Sequence, residues 1–281
     1  MRLSFPAALL LTAILHSPLH AASEDGPGDS MDNYLIVGGG LASLPDYEGS
    51  DDSVIVPVPG AIGRLGGIKF TYVGNRASVD LVPDKPGQRW DIQAGPVVSV
   101  GFNRARLKSI EDPRIKALGR LGYAVEVGGY VGIGHTGVVT SDYDTLSMSV
   151  SYRKDISGKS NGGMIMPTIN YMTPLSRKSL VAFFASATHI DQRYSDTYFS
   201  ISPAQSVRSG LPAYQARSGW KSVSAGAAGN ISLTGDLTGG LSMIGGLMYM
   251  KLLGSAAETP ATSIAGNRNQ WLGGLGLAYT F

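Results

Sequence analysis

Between Leu146 and Arg153 apolar and polar side chains alternate one for one, Leu146, Met148, Val150 and Tyr152 interleaving with Ser147, Ser149, Ser151 and Arg153. Successive side chains of a strand point to opposite faces, so this segment reads as a strand with one face suited to lipid and the other to water. Residues 90–103 repeat the pattern: Trp90, Ile92, Ala94, Pro96, Val98, Val100 and Phe102 alternate with smaller or more polar neighbours. That run outlasts the usual soluble strand of about 5 to 6 residues. A third long strand, 123–134, carries Tyr123, Val125, Val127, Val131 and Ile133 on one face and mostly small residues on the other. A strand that crosses a bilayer needs about 9 to 11 residues, a length that these segments meet or nearly meet. The same rule predicts strands at 34–43, 53–63, 66–74, 76–83, 161–173, 178–190, 218–232, 238–252 and 271–281, for a total of twelve.

An even number suits a single-chain bacterial barrel with both termini on the periplasmic side. Loop lengths agree. The long connections 44–52, 104–122, 191–217 and 253–270 follow odd-numbered strands, whereas 174–177 and 233–237, after even-numbered ones, are tight and 135–145 is the exception. Outer-membrane barrels have short periplasmic turns and longer outer loops, so the long loops are expected to face out of the cell. In the closing strand Phe281, Tyr279, Leu277 and Leu275 share one face and Thr280, Ala278, Gly276 and Gly274 the other. A soluble chain ending on its most hydrophobic strand would expose an aggregation-prone edge, and a closed barrel has none. The expected fold is therefore all-β, a closed antiparallel transmembrane β-barrel of twelve strands. Gly276, Tyr279 and Phe281 also resemble the C-terminal signal by which the barrel-assembly machinery recognises outer-membrane barrels, although Gly274 stands where that pattern is usually polar.

At the other end, Met1-Arg2, an apolar run from Ala7 to Leu15 and a small pair at Ala21-Ala22 have the layout of a cleaved secretory signal peptide over residues 1–22. Residues 23–281 then form a single barrel domain. Removing Arg2 leaves 22 Lys and Arg against 21 Asp and Glu, a net charge near +1 and no nucleic-acid footprint. There is no cysteine, so no disulfide staples the fold. The 16% charged residues and 38 glycines are uncommon in a soluble enzyme, and beyond the signal no 18-residue apolar run suggests a helical span. Aromatics near strand ends, including Tyr34, Trp90, Tyr152, Trp220, Trp271 and Tyr279, suit interfacial girdles contacting outer-membrane lipid.

Candidate chemistry is sparse. Gly132-Ile133-Gly134-His135-Thr136-Gly137 has the spacing of a dinucleotide fingerprint, but no helix follows to hold a pyrophosphate, and no cofactor is expected. Of the histidines, His135 and His189 survive signal removal. His189 lies near Asp191 and several serines, which makes a barrel lipid acyl-hydrolase the alternative to a non-enzymatic protein. No histidine pair has metal-ligand spacing, and Asp51-Asp52 reads as a solvated turn. Inward charges Asp80, Asp91, Glu126 and Arg153 either line a pore or pair and fill the lumen. In the loop after the fifth strand, Asp112-Pro113 followed by Ile115, Leu118 and Leu121 predicts a capped short helix.

Pro45-Asp46-Tyr47-Glu48-Gly49-Ser50-Asp51-Asp52 after the first strand, and Tyr198-Phe199-Ser200-Ile201-Ser202 with Gln205-Ser206 and Ser209-Gly210-Leu211-Pro212-Ala213-Tyr214, resemble segments of the MipA/OmpV outer-membrane family. The resemblance covers essentially the whole mature chain. It implies localisation to the bacterial outer membrane and a scaffold role that joins a murein-cleaving lytic transglycosylase to a bifunctional murein synthase. Other members are described as antigens or adhesins, and a small diffusion channel is a further alternative. The family offers no catalytic set to carry over. Murein lies on the periplasmic side, so such contacts would use the short turns, the barrel wall or the acidic leader with Glu24, Asp25, Asp29 and Asp32.

Overall fold

The computed structural model describes residues 33–84 and 87–281. The signal peptide and the acidic leader predicted from the sequence lie outside them. Twelve strands run in chain order: β1 (Tyr34–Pro45), β2 (Ser53–Leu65), β3 (Ile68–Val73), β4 (Arg76–Asp80), β5 (Trp90–Gly101), β6 (Ala124–Thr136), β7 (Thr145–Asp155), β8 (Gly163–Ser176), β9 (Ser179–Ile190), β10 (Gly219–Ser232), β11 (Gly240–Leu252) and β12 (Asn269–Thr280). Each pairs antiparallel with its sequence neighbours, and β1 pairs with β12 to close a barrel. All twelve predicted strands are present, with their ends shifted by three residues or fewer.

The alternation read from the sequence is the alternation of the wall. On the outside, Leu41, Val131, Trp271 and Leu275 are each about 60% exposed, the condition expected where lipid takes the place of a core. Ring pairs mark both ends of this band: His189 with Trp220 and Tyr249 with Trp271 toward the long loops, Trp90 with His135 and Tyr279 with Phe281 toward the tight turns. These are the positions where an amphipathic ring is best solvated.

Loop parity also holds, and the long loops form a folded cap. Asp112 accepts a hydrogen bond from the Arg114 backbone N–H and starts α1 (Pro113–Ala117), the helix predicted from sequence. Four further helices were not predicted: α2 (Gln192–Phe199), α3 (Pro203–Ser209), α4 (Gly254–Glu258) and α5 (Pro260–Ser263). Two apolar clusters hold the cap together, one around Tyr47, Ile110, Ile115, Leu118, Ile201 and Leu211, the other around Tyr194, Tyr198, Phe199, Ala216 and Ala256. Tyr47 ties two loops directly, its hydroxyl donating to the carbonyls of Ala261 and Ala265. The β3–β4 hairpin breaks the evenness of the wall. Its strands span six and five residues, so β2 is paired with β3 only from Gly60 onward.

Candidate functional site

Inside the barrel the half nearest the tight turns is filled by side chains. Ile36, Arg64, Gln93, Met172, Leu180 and Ala278 are all buried there. On the β2–β5 side the filling is ionic: Asp84 meets Arg64 at 2.7 Å and Lys69 at 2.6 Å, and Lys69 also reaches Asp91 at 3.5 Å. On the β8–β9 side it is apolar, with Leu237 from the β10–β11 turn packed on Met172, Leu180 and Ala182. Asp80 is absorbed too, one carboxylate oxygen accepting the backbone N–H groups of Val82 and Ala94. Of the inward charges read from the sequence, Asp80 and Asp91 are thus taken up in the filling of this half, whereas Glu126 and Arg153 line the other.

The half nearest the long loops holds a cavity of about 280 Å³. Strand register makes it two-sided. Leu44, Val54, Val56, Met248, Met250 and Leu272, from β1, β2, β11 and β12, form one wall. Opposite them stand Arg76, Ser99, Glu126, Ser151 and Arg153, from β4 to β7, and the intervening strands β8 to β10 are mixed. Arg76 is paired with Ser99 across β4–β5, and Ser99 with Glu126 across β5–β6, so the three share one inward row. Glu126 accepts from the Ser99 hydroxyl at 2.8 Å and lies 3.5 Å from Arg153. The roof comes from the cap: Tyr194, Tyr198, Tyr47 and Glu48, the last paired with Lys221 at 2.6 Å. In this roof burial pushes the Tyr198 phenol well above its ordinary range, reinforced by the Glu126, Asp155 and Glu48 charges. The ring thus stays neutral at the cavity mouth.

The structure does not assemble the hydrolase constellation. His189 lies against the Trp220 ring, and Asp191 is occupied as the cap of α2, accepting the Tyr194 and Gly163 backbone N–H groups. Ser186 bonds Ser224 across the β9–β10 pair, and Ser195 is fully buried. His135 packs on Trp90 at the opposite end of the barrel. Gly132 and Gly134 lie within β6 and open no helix, and among the described residues no group of acidic or histidine side chains has metal-site geometry. Gly276 faces Gly40 of β1 across the closing seam, while the Tyr279 and Phe281 rings pack outside at a tilt, their centroids 4.7 Å apart. Sequence reasoning placed Glu126 and Arg153 inside but passed over Arg76, which follows a turn and shows little alternation of its own.

The family described as MltA-interacting protein MipA matches residues 37–281. No curated protein sequence matches the chain. Among solved structures the barrel is similar to the outer-membrane channel DcaP of Acinetobacter baumannii, at 11% identity, with 90% of this chain and 99% of that one covered and a TM-score of 0.42. It is also similar to the CymD monoaromatic hydrocarbon channel, at 7% identity, 89% of each chain and a TM-score of 0.40. The toluene transporter TodX of Pseudomonas putida aligns at 9% identity over 95% of this chain and 94% of that one, with a TM-score of 0.38.

Proposed function

Because the chain belongs to the MltA-interacting protein MipA family and is an outer-membrane β-barrel, we propose that it is a non-enzymatic scaffold holding a murein-cleaving lytic transglycosylase and a bifunctional murein synthase at the outer membrane. The observation that carries this reading is the filled turn-side half of the lumen beneath a folded cap. Such a barrel is a rigid body anchored in lipid, better suited to presenting a surface than to passing solutes. The tight-turn end faces the periplasm in barrels of this class, where murein enzymes work. At that end the 137–144 connection is the longest fully described turn, and it presents Val138 and Val139, the latter 70% exposed, on a backbone clamped by Asp144. Docking there would reconcile periplasmic partners with outward long loops. Gly276, Tyr279 and Phe281 act on this reading as the assembly signal, used once during insertion.

The test is affinity capture with the full mature chain from envelopes solubilised in nonionic detergent. Lytic transglycosylase is expected among the recovered proteins, with its recovery reduced by Val139→Glu. Repeated capture that recovers no murein enzyme, with the bait folded, would overturn the scaffold.

A further inference from the structure

We propose that the loop-side cavity binds an amphipathic anion, a molecule with an oxyanion head and an aliphatic tail, admitted from the bilayer through a window in the wall beside β2. The inference is independent of the scaffold reading.

Charge is the first observation. Arg76 is only 8% exposed, lines the cavity, and forms no hydrogen bond or ion pair among the described residues; its Nε has no partner. A guanidinium does not shed its proton to escape burial, and a buried cation is normally paired. The carboxylate in its row, Glu126, is already engaged by Ser99 and lies beside a second guanidinium, that of Arg153. One carboxylate between two guanidiniums leaves one positive charge for an incoming anion, and the fork geometry of arginine suits a carboxylate or phosphate. The facing wall of Leu44, Val54, Val56, Met248, Met250 and Leu272 offers no partner for a second charge and suits an aliphatic chain. Methionine, flexible and polarizable, adapts to tails of differing shape.

The window is the second observation. The β3–β4 hairpin ends at Gly74–Asn75, where Gly74 donates to the Pro59 carbonyl. Backbone groups alternate along a strand, so Pro57, Ile55 and Ser53 direct theirs to the same side as Pro59, past the tip of the hairpin. Ladder pairing of β2 with β3 stops at Gly60, and beyond Pro59 that edge meets no partner strand among the described residues. Two of its positions are proline, which has no N–H to leave unsatisfied in lipid and blocks pairing with another chain. Above the opening the β1–β2 and β5–β6 loops join again, through Glu48 N–H to Asn103 and Glu111 N–H to Asp46. The result is a framed gap, with Asn75 and Arg76 at its sill and Val54 and Val56 on its jamb, all four lining the cavity.

The test is photolabelling of the folded, full-length mature chain in nonionic detergent with a fatty acid carrying a diazirine near its tail. Label is expected on residues 54–57 and 248–250. Excess decanoate or decyl phosphate should suppress it, whereas decanol and inorganic phosphate should not. Arg76→Met should weaken labelling about tenfold, and Glu126→Gln, which removes the competing carboxylate, should strengthen it; the second variant keeps the test decisive if the first fails to fold. Label confined to the outward band, equal suppression by decanol, suppression by inorganic phosphate alone, or indifference to Glu126→Gln would each overturn the proposal. A difference between decanoate and decyl phosphate tells a free fatty acid from a phospholipid head as the source of the oxyanion.

Discussion

Closure of the barrel depends on residues that have no side chain. β1 meets β12 with Gly38 opposite Ala278, Gly40 opposite Gly276 and Ala42 opposite Gly274. A Cβ added at Gly40 would run into the Leu275 carbonyl oxygen and the Gly276 Cα, both of them backbone that cannot rotate away. Gly39, one position along, points to the other face, where an added Cβ would find only the Val58 carbonyl at 3.7 Å. The two neighbours should therefore respond differently. Gly40→Val is expected to cost at least the about 1–3 kcal/mol typical of overpacking and to diminish the folded form, read as loss of the fast-migrating band in unheated electrophoresis. Gly39→Ala should leave that band intact. Equal behaviour of the two variants would refute the seam as the reason for this glycine pattern. The narrow approach also leaves an apolar void of about 50 Å³ along the seam, consistent with glycines chosen for clearance.

At the scale of elements, strands were legible and helices largely were not, for one physical reason. A strand facing lipid on one side and a lumen on the other has its period written in every second residue, as in β7, where Met148, Val150 and Tyr152 are exposed and Ser147, Ser151 and Arg153 are buried. The cap helices run from four to eight residues, too short for a 3.6-residue period to emerge. Their end signals are nonetheless present: Ser202 and Gln205 form a capping box at the start of α3, and Gly210 closes it in the left-handed region. The site was legible in the same uneven way. Glu126 and Arg153 sit in strongly alternating strands, whereas Arg76 sits in a five-residue strand whose setting only the tertiary pairing reveals. The 137–144 turn is held by a single carboxylate, that of Asp144, which accepts the Val138 and Val139 backbone N–H groups at 2.6 and 2.8 Å, that of Thr140, and the Tyr171 hydroxyl. Burial opposes its ionisation, but these donors together hold it well below the usual carboxylate range. A depressed folded pKa contributes stability that is complete at neutral pH and is lost as pH falls below the unfolded value of about 3.9. Asp144→Asn should thus cost about 1.5–3 kcal/mol at pH 7, the worth of hydrogen bonds to a charged group, and less at pH 3. Stability curves for both proteins at the two pH values check this, and a gap that widens in acid would contradict it.

For the whole molecule the deciding feature is the division of the lumen into a packed half and a hollow half. A water-filled channel would leave the inward side chains wet along its length, yet Val97 and Val73 are at most 1% exposed and Phe184 is 5% exposed. Phe184 belongs to an apolar cluster that runs along the inner wall from β9 through β11, β12 and β1 to β3, and Gly226 beside it is bare because a Cβ there would strike the ring. The ionic filling from Arg64, Lys69, Asp84 and Asp91 is a separate block on the other side. The two fillings lie side by side and together close the cross-section to ions. The wild-type protein should therefore be silent in planar bilayers. Phe184→Ala should destabilise the fold by about 3–5 kcal/mol, seen as a lower temperature for loss of the fast-migrating band, and should still be silent because Leu237 on Met172, Leu180 and Ala182 closes the same side nearer the turns. Stepwise conductance from the wild type would remove the packed half from the account and restore a diffusion channel. Silence in both, with the stability loss in the variant alone, is what a filled and anchored barrel requires.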